Sequence, residues 1–218
     1  MDQKNTLNVV YETKEKKRYP LEVIYKKISS DQLFYDPENV RAWCKTCSNF
    51  NKTGGCPPRA PLFEEIMIKD VPAWLIAIKF YSEYKPESIK KLTNIAMHWK
   101  FQDAILARLL SNFGHRLVES YGGTFLASGY CMGCPGKKCS FKLGQEFCRN
   151  SLKRTYSMEA TGLNVVKSVE SLLSEKMYWY KRNLADIPYM LKCMLYIPEI
   201  ALEKAEVIGS IYSIPAIK

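Results

Sequence analysis

The grouping of cysteines constrains this chain more than any other feature of its sequence. Seven of the eight cysteines fall in two short blocks, residues 44–56 and 131–148. Both blocks contain a C-x2-C pair, in which a tight turn brings two sulfurs to the same side, and the intervening glycines and prolines favour such turns. Structural cysteines are not normally clustered in this way, so we predict metal ligands. The seven candidates, for both metal and cofactor binding, are Cys44, Cys47, Cys56, Cys131, Cys134, Cys139 and Cys148.

The size and the N-terminus of the chain bear on its class and location. With 218 residues, 47% of them hydrophobic, the chain can bury a core, and a single domain over residues 1–218 is expected. The first six residues are polar and charged, unlike a signal peptide. No run of eighteen apolar residues occurs, so we predict no membrane span and no membrane partner. The expected location is the cytoplasm, where reducing conditions favour metal binding or catalysis over disulfides.

The positive charge of the chain is concentrated around the cysteines. The formal net charge is +10, of which residues 41–59 contribute four and residues 131–154 contribute five. A centre held by four thiolates is anionic, and nearby cations stabilise it. We therefore assign these charges to balancing a metal centre. The alternative is a solvated basic face that binds a negatively charged partner.

The hydrophobic pattern predicts an α+β fold. Residues 73–81 and 124–128 are predicted strands, and residues 86–121 form one long helix or two. We predict further helices at residues 62–68, 163–173 and 187–197. We predict a strand at residues 207–214, and residues 21–28 are either a short strand or a short helix. The expected architecture is a small sheet with helices packed on one face and two cysteine-rich, cluster-binding loops. Ferredoxin-like elements are compatible with this pattern.

The spacing favours iron–sulfur clusters over zinc. Zinc commonly uses paired C-x2-C motifs, but here neither pair has a matching second pair. Iron–sulfur clusters accept irregular cysteine sets, often with proline directly after a ligand, as at Cys56-Pro57 and Cys134-Pro135. The aromatic side chains near the cysteines are suited to shielding a cluster from water. They are Trp43, Phe50, Phe141 and Phe147. Zinc remains the alternative.

Seven ligands divide unequally between two clusters. The simplest partition places the four cysteines of the second block on one [4Fe-4S] cluster and the three of the first block on another. One cluster then keeps an iron open to substrate or another ligand, as catalytic metal sites do. Cys148 could instead complete the first block, which would reverse the assignment. Alternatively, Cys193 or a non-cysteine group closes the site, although the apolar context of Cys193 favours a buried side chain.

Three segments of the chain together resemble a known family. They are Cys44-x2-Cys47…Cys56-Pro57-Pro58, then Cys131-x2-Cys134-Pro135…Cys139…Cys148-Arg149, then Ser157-Met-Glu-Ala-Thr-Gly162. They resemble a family of predicted metal-binding, cysteine-rich proteins of archaea and anaerobic bacteria. The resemblance covers roughly residues 40 to 215 and leaves residues 1–40 as an N-terminal extension. It implies metal binding through the seven cysteines and iron–sulfur clusters, without a reaction.

Two further features were considered as parts of the site. Ser157 or Thr161 could cap the helix that follows and direct N–H groups at a sulfide; the alternative is a plain helix start. His98 and His115 are lone histidines on the long helix, for which a structural role is favoured.

Three functional classes follow from these observations. The first is an iron–sulfur protein in electron transfer or in reductive or sulfur chemistry. The second is a zinc-stabilised basic module that binds nucleic acid or a protein. The third is a non-catalytic assembly factor. The expected partners are an acidic redox protein, a small anionic or sulfur-containing ligand, or a second copy of the chain, with nucleic acid disfavoured. No catalytic residue is assigned, and whether the protein is an enzyme stays open.

Overall fold

The computed structural model describes residues 4–134, 136–181 and 186–218. These residues form a six-stranded sheet and five α-helices, which confirms the predicted α+β class of a small sheet with helices packed on it. The strands are β1 (Asn5–Glu12), β2 (Arg18–Ile28), β3 (Ala73–Tyr81), β4 (Thr124–Ala127), β5 (Tyr156–Ser157) and β6 (Tyr189–Ile197). The helices are α1 (Pro37–Cys44), α2 (Glu87–Lys90), α3 (Ile95–Tyr121), α4 (Val165–Leu173) and α5 (Lys204–Tyr212).

The strand order places the cysteine loops at one edge of the sheet. The order is β1-β2-β3-β6-β4-β5, and all neighbouring strands are antiparallel except β4 and β5, which are parallel. Parallel neighbours need a crossover connection of a dozen or more residues. Here that crossover is the segment 128–155, which contains the second cysteine block. The sheet edge at β5 therefore carries this block.

Both faces of the sheet are covered. On β3, Ile76 and Ile78 belong to the core formed with α3 and α5, whereas Leu75 and Ala77 belong to the core formed with α4. Burial on both sides explains the near-continuous apolar sequence of this strand. The expectation of helices on one face was thus incomplete, because α4 packs on the second face.

The predicted helical segment 86–121 consists of two helices. Asn94 caps α3, its side chain accepting a hydrogen bond from the backbone N–H of Ala96 at 3.0 Å. Gly122 follows the last helical residue with a φ of +73°, a conformation that glycine adopts readily. The break before Asn94 separates α2 from α3. No helix in the described ranges combines the length and apolar character that a membrane crossing needs.

Two elements near the C-terminus were predicted with the wrong type. The predicted helix at residues 187–197 is mostly strand β6 (Tyr189–Ile197), because this segment lies between β3 and β4 and both of its faces are buried. A short apolar run of this kind has no diagnostic period. Residues 207–214 lie mostly in helix α5 rather than in a strand, since Val207 and Ile211 recur at helical spacing on the sheet side.

The N-terminal half differs from expectation at two places. Residues 21–28, which the pattern left untyped, belong to β2, and β2 pairs with both β1 and β3. The predicted helix at residues 62–68 is only a single 3-10 turn, Phe63–Glu65.

Candidate metal centre

The second cysteine block lines a single cavity. Its volume is about 640 Å³. We call it the four-cysteine cavity, after Cys131, Cys134, Cys139 and Cys148. Four cationic side chains share its wall, namely Lys137, Lys138, Lys142 and Arg154. Their charge can offset negative charge in this space. Two of them are also held by other side chains, since the Lys142 ammonium donates to Asn49 Oδ1 at 2.7 Å and the Arg154 guanidinium donates to the Tyr156 hydroxyl.

Backbone N–H groups point at the sulfurs of this cavity. The Sγ atom of Cys131 accepts hydrogen bonds from the backbone nitrogens of Gly133 and Thr155, both at 3.4 Å. Burial acts to raise the pKa of Cys139, but hydrogen bonds from the backbone of Gly54, Phe141 and Lys142, with the Lys142 charge, outweigh it and lower the pKa. Such donors favour the thiolate, which is the form that binds a metal.

The other thiols of this cavity oppose the ionisation of Cys134. Burial raises the pKa of Cys134, and the neighbouring thiols of Cys148, Cys131 and Cys139 raise it further, while Arg149 acts in the opposite direction. A cation bound among the thiols would remove this repulsion, because metal binding displaces the thiol protons.

The first cysteine block lines a separate and smaller cavity. We call it the three-cysteine cavity, after Cys44, Cys47 and Cys56, and its volume is about 320 Å³. Cys44 is the last residue of α1, and the backbone nitrogen of Cys47 donates to the Cys44 carbonyl at 3.0 Å. This turn accounts for the C-x2-C spacing. The remaining wall is largely apolar and includes Trp43, Phe50, Pro57, Leu163, Val165 and Val166.

Glu159 is the acidic side chain on the wall of the three-cysteine cavity. Burial raises the pKa of Cys44 to about 11, and the Glu159 carboxylate adds to this effect. Burial also raises the pKa of Cys56. The Thr53 hydroxyl partly offsets this shift, although it makes no hydrogen bond of ordinary geometry within the described chain. Without a cation, these two thiols are therefore largely protonated at neutral pH.

The two cysteine blocks are packed against each other at Gly55. A Cβ atom at Gly55 would lie 2.9 Å from the Cβ of Cys131 and 2.6 Å from the carbonyl oxygen of Thr155. The carbonyl of Gly55 also accepts a hydrogen bond from the backbone nitrogen of Ser157 at 3.0 Å. Only a residue without a side chain permits this approach, so the two blocks form one unit.

Several cations near the cysteines hold the loops instead of facing the thiols. Arg41 donates to the carbonyl of Ala60 at 2.6 Å. The guanidinium of Arg59 lies 4.5 Å from the ring centre of Phe141, and so links the first block to the second. The charge excess seen in the sequence thus divides between cavity lining and loop anchoring.

Neither of the two candidate caps, Ser157 and Thr161, caps α4. The hydroxyl of Ser157 donates to the Glu159 carboxylate, and that of Thr161 donates to the carbonyl of Met158 at 2.7 Å. Asn164 is the N-cap, accepting from the backbone nitrogen of Lys167 at 3.1 Å. The segment after β5 instead places Glu159 beside the first cysteine block, and sequence reasoning had assigned no role to that residue.

The remaining cysteine and the two histidines have structural surroundings. Cys193 lies on β6 in the core beneath α4, and burial raises its pKa to about 12. Among the described residues it lines neither cavity. His98 contacts the Lys85 ammonium at 2.9 Å, and His115 packs edge-on against Phe125. These contacts are compatible with the structural roles that the sequence favours for Cys193, His98 and His115.

The seven thiols surround cavities rather than a point. Within the described residues, no three Cys, His, Asp or Glu side chains are placed to hold a single metal ion. A four-iron cluster requires a different arrangement, because each thiolate binds a different iron and the ligands are spread around a larger body. The donor set and the space are compatible with such clusters.

Comparison with known families agrees with a metal-binding role. A family model described as "Predicted metal-binding protein (DUF2284)" matches residues 26–195, well over half of the chain. The chain belongs to this family. The predicted resemblance to a metal-binding family is therefore confirmed at that level. No curated protein and no solved structure gives a significant match to the chain.

The residues that match the family model contain most of the features described above. It includes both cysteine blocks, Glu159 and most of the sheet, and it begins within β2. It starts earlier than residue 40, where the sequence resemblance began, and ends before residue 215. The family description states metal binding and names neither a metal nor a reaction.

Proposed function

We propose that this member of the predicted metal-binding family carries two [4Fe-4S] clusters and acts in electron transfer or in reductive or sulfur chemistry. The observation that carries the proposal is the division of seven cysteines into a four-cysteine and a three-cysteine cavity. The first set suffices to ligate every iron of a cubane, and the second leaves one iron without a cysteine.

The residues of the four-cysteine cavity are suited to holding a redox centre. Backbone N–H groups donate to Cys131 and Cys139, and hydrogen bonds to cluster sulfurs and ligands tune the reduction potential. The lysines on the wall offset the negative charge of the thiolates. Full ligation with these donors is typical of a centre that only passes electrons.

The three-cysteine cavity is suited to binding a further group. A four-iron cluster, when bound, exchanges single electrons and can accept an additional ligand at an iron that lacks cysteine. Glu159 is the side chain of this chain that could occupy that position or give way to a substrate. The rest of the wall is largely apolar.

Zinc is the second candidate for the metal. The Cys44–Cys47 pair lies in a tight turn, as zinc ligands do. A single zinc ion nevertheless needs its ligands around one point, and no three Cys, His, Asp or Glu side chains among the described residues are placed in this way. If the metal is zinc, the protein would be a zinc-stabilised module that binds a partner through its clustered cations, or an assembly factor.

An acidic redox protein is the partner that the surface favours. Phe147 and Leu152, at 80% and 96% exposure, lie at the end of the second cysteine block, close in sequence to Arg149 and Lys153. Exposed apolar side chains rimmed by positive charge suit a negatively charged protein that docks transiently. We place this exchange in the cytoplasm, since all eight cysteines are free thiols.

Elemental analysis of anaerobically purified protein tests the proposal. Two clusters predict about eight irons and about eight sulfides per chain, with a broad absorption shoulder in the visible range. Stoichiometric zinc without iron would refute the clusters and support the zinc alternative.

A further inference from the structure

A third cavity connects the two cysteine cavities. Its volume is about 290 Å³. It shares Gly129, Glu159, Met177 and Trp179 with the three-cysteine cavity. It shares Asn49, Trp99 and Tyr130 with the four-cysteine cavity. A molecule bound here, which we call the bridging cavity, would lie beside both cysteine sites. Its volume is at the lower end of small-molecule sites, which run to about 300–1,000 Å³, so the occupant has one or two rings.

A buried ion pair forms one wall of the bridging cavity. The Lys192 ammonium on β6 binds the Asp103 carboxylate on α3 at 2.6 Å, and both side chains are almost fully buried. The Tyr130 hydroxyl also donates to Asp103, at 3.4 Å. An ammonium group has three N–H donors. Within the described chain, Lys192 uses one of them on Asp103, so two are free to bind an oxygen acceptor in the cavity.

The backbone next to this ion pair is shaped to admit the ammonium. Gly129 has a φ of +104°, and a Cβ atom there would lie 3.1 Å from the Lys192 Nζ atom. A side chain at this position would press on the ammonium from the cavity side. Gly129 therefore keeps Lys192 accessible at the point where the bridging cavity meets the three-cysteine cavity.

Aromatic side chains form much of the rest of the wall. Trp99 and Trp179 line the cavity and are 43% and 59% exposed. Tyr178 and Tyr180 extend this surface. Indole rings left partly open at a cavity offer flat apolar faces on which another ring can stack.

Three charged side chains lie on the described wall of the bridging cavity, namely Lys192, Asp103 and Glu159. Asp103 is paired with Lys192, and Glu159 accepts a hydrogen bond from Ser157. Lys192 is therefore the charged donor that a ligand oxygen meets in the cavity.

We propose that the bridging cavity binds a small aromatic carboxylate, with its ring against Trp99 and Trp179 and its carboxylate on Lys192. The site uses no cysteine side chain and stands whether the cysteines hold iron–sulfur clusters or zinc. Its position next to both cysteine cavities makes the ligand a candidate substrate or effector for whatever centre they hold.

Titration calorimetry with benzoate on anaerobically purified, full-length protein tests this proposal. Benzoate should bind measurably, benzamide and cyclohexanecarboxylate at least tenfold more weakly, and benzylamine not at all. Trp179→Ala should weaken benzoate binding at least tenfold. Tyr212→Ala is the control, since Tyr212 is a half-exposed aromatic residue on α5 that lines none of the three cavities, and it should leave binding unchanged.

The double variant Asp103→Asn/Lys192→Gln removes both charges without leaving one of them buried alone. It should abolish the preference for benzoate over benzamide. If it does not fold, Trp179→Ala and Trp99→Ala decide the question, because both side chains are partly exposed and outside the core. No binding of benzoate at millimolar concentration, tighter binding of benzylamine, or equal loss in Tyr212→Ala would overturn the proposal. Metal analysis of the same samples is a separate measurement, so failure of the cluster proposal is distinguishable from failure of this one.

Discussion

The four-cysteine and three-cysteine cavities surround their thiols with different groups. In the first, cations line the wall and backbone N–H groups lower the pKa of Cys139, although burial raises the pKa of Cys134. In the second, burial and the Glu159 carboxylate raise the pKa of Cys44 to about 11, and the wall is largely apolar. The difference shows that one fold can place backbone donors and cations beside one set of thiols and apolar side chains with a carboxylate beside another.

Removing single cysteines gives the largest expected effect on this comparison. Cys148→Ala should lose or convert one cluster, so iron content should fall by up to about half, because a cubane needs its ligands. Cys193→Ala is the control, and it should leave both clusters, since Cys193 is buried in the core away from both cavities. Iron analysis and electron paramagnetic resonance of the two variants measure how many clusters each one retains. Loss of a cluster in Cys193→Ala would show that the eighth cysteine is a ligand.

Metal removal should affect both cavities before the rest of the fold. Residues 41–59 and 131–150 contain few regular elements, so much of their order is expected to come from metal binding, whereas α3 is held by the sheet. Hydrogen exchange of chelated protein should therefore show protection lost in the two loops and retained in α3. Equal protection of the loops with and without metal would contradict this expectation.

A substitution at Gly55 tests whether the two cavities form one unit. Gly55→Ala should destabilise the protein by about 1–3 kcal/mol, because the new methyl group meets the Cys131 side chain and the Thr155 backbone. Both sites should lose metal together. Gly209→Ala is the matched control, since no atom lies within 4 Å of its added methyl group and α5 tolerates alanine. Thermal unfolding and metal content are measured for both variants. Loss of metal from one site alone in Gly55→Ala would show that the two cavities do not form one unit.

The smallest effect concerns the reactivity of the thiols in metal-free protein. Near pH 8, Cys139 should be alkylated faster than Cys44, because its lowered pKa leaves more thiolate. The folded-state pKa of Cys44 is raised, so its contribution to stability is complete below pH 9 and is lost as the pH rises through about 11. Mass spectrometry of timed iodoacetamide labelling measures the rate at which each cysteine is alkylated. Faster alkylation of Cys44 than of Cys139 would contradict the expected difference between the two cavities.

Parts of this structure could be predicted from local sequence and others could not. The strand at residues 73–81 was predicted with its observed bounds because its apolar run has a clear start after Pro72. Strand β6 was mistaken for a helix because burial on both faces removes the alternation that marks a strand. The grouping of Cys131 with Cys148 was expected from their spacing. The pairing of Asp103 with Lys192 spans 89 residues and depends on α3 crossing β6, which no local pattern reveals.

The central claim is that one site is fully ligated and the other is open, and cyanide binding tests it most directly. Protein enriched in iron-57 and reduced anaerobically should show two cluster signals, and cyanide should shift only one of them. That response should disappear in Cys56→Ala and persist in Cys148→Ala. Two signals that both ignore cyanide, or a response that is lost in Cys148→Ala and kept in Cys56→Ala, would contradict the assignment of the open iron to the three-cysteine cavity.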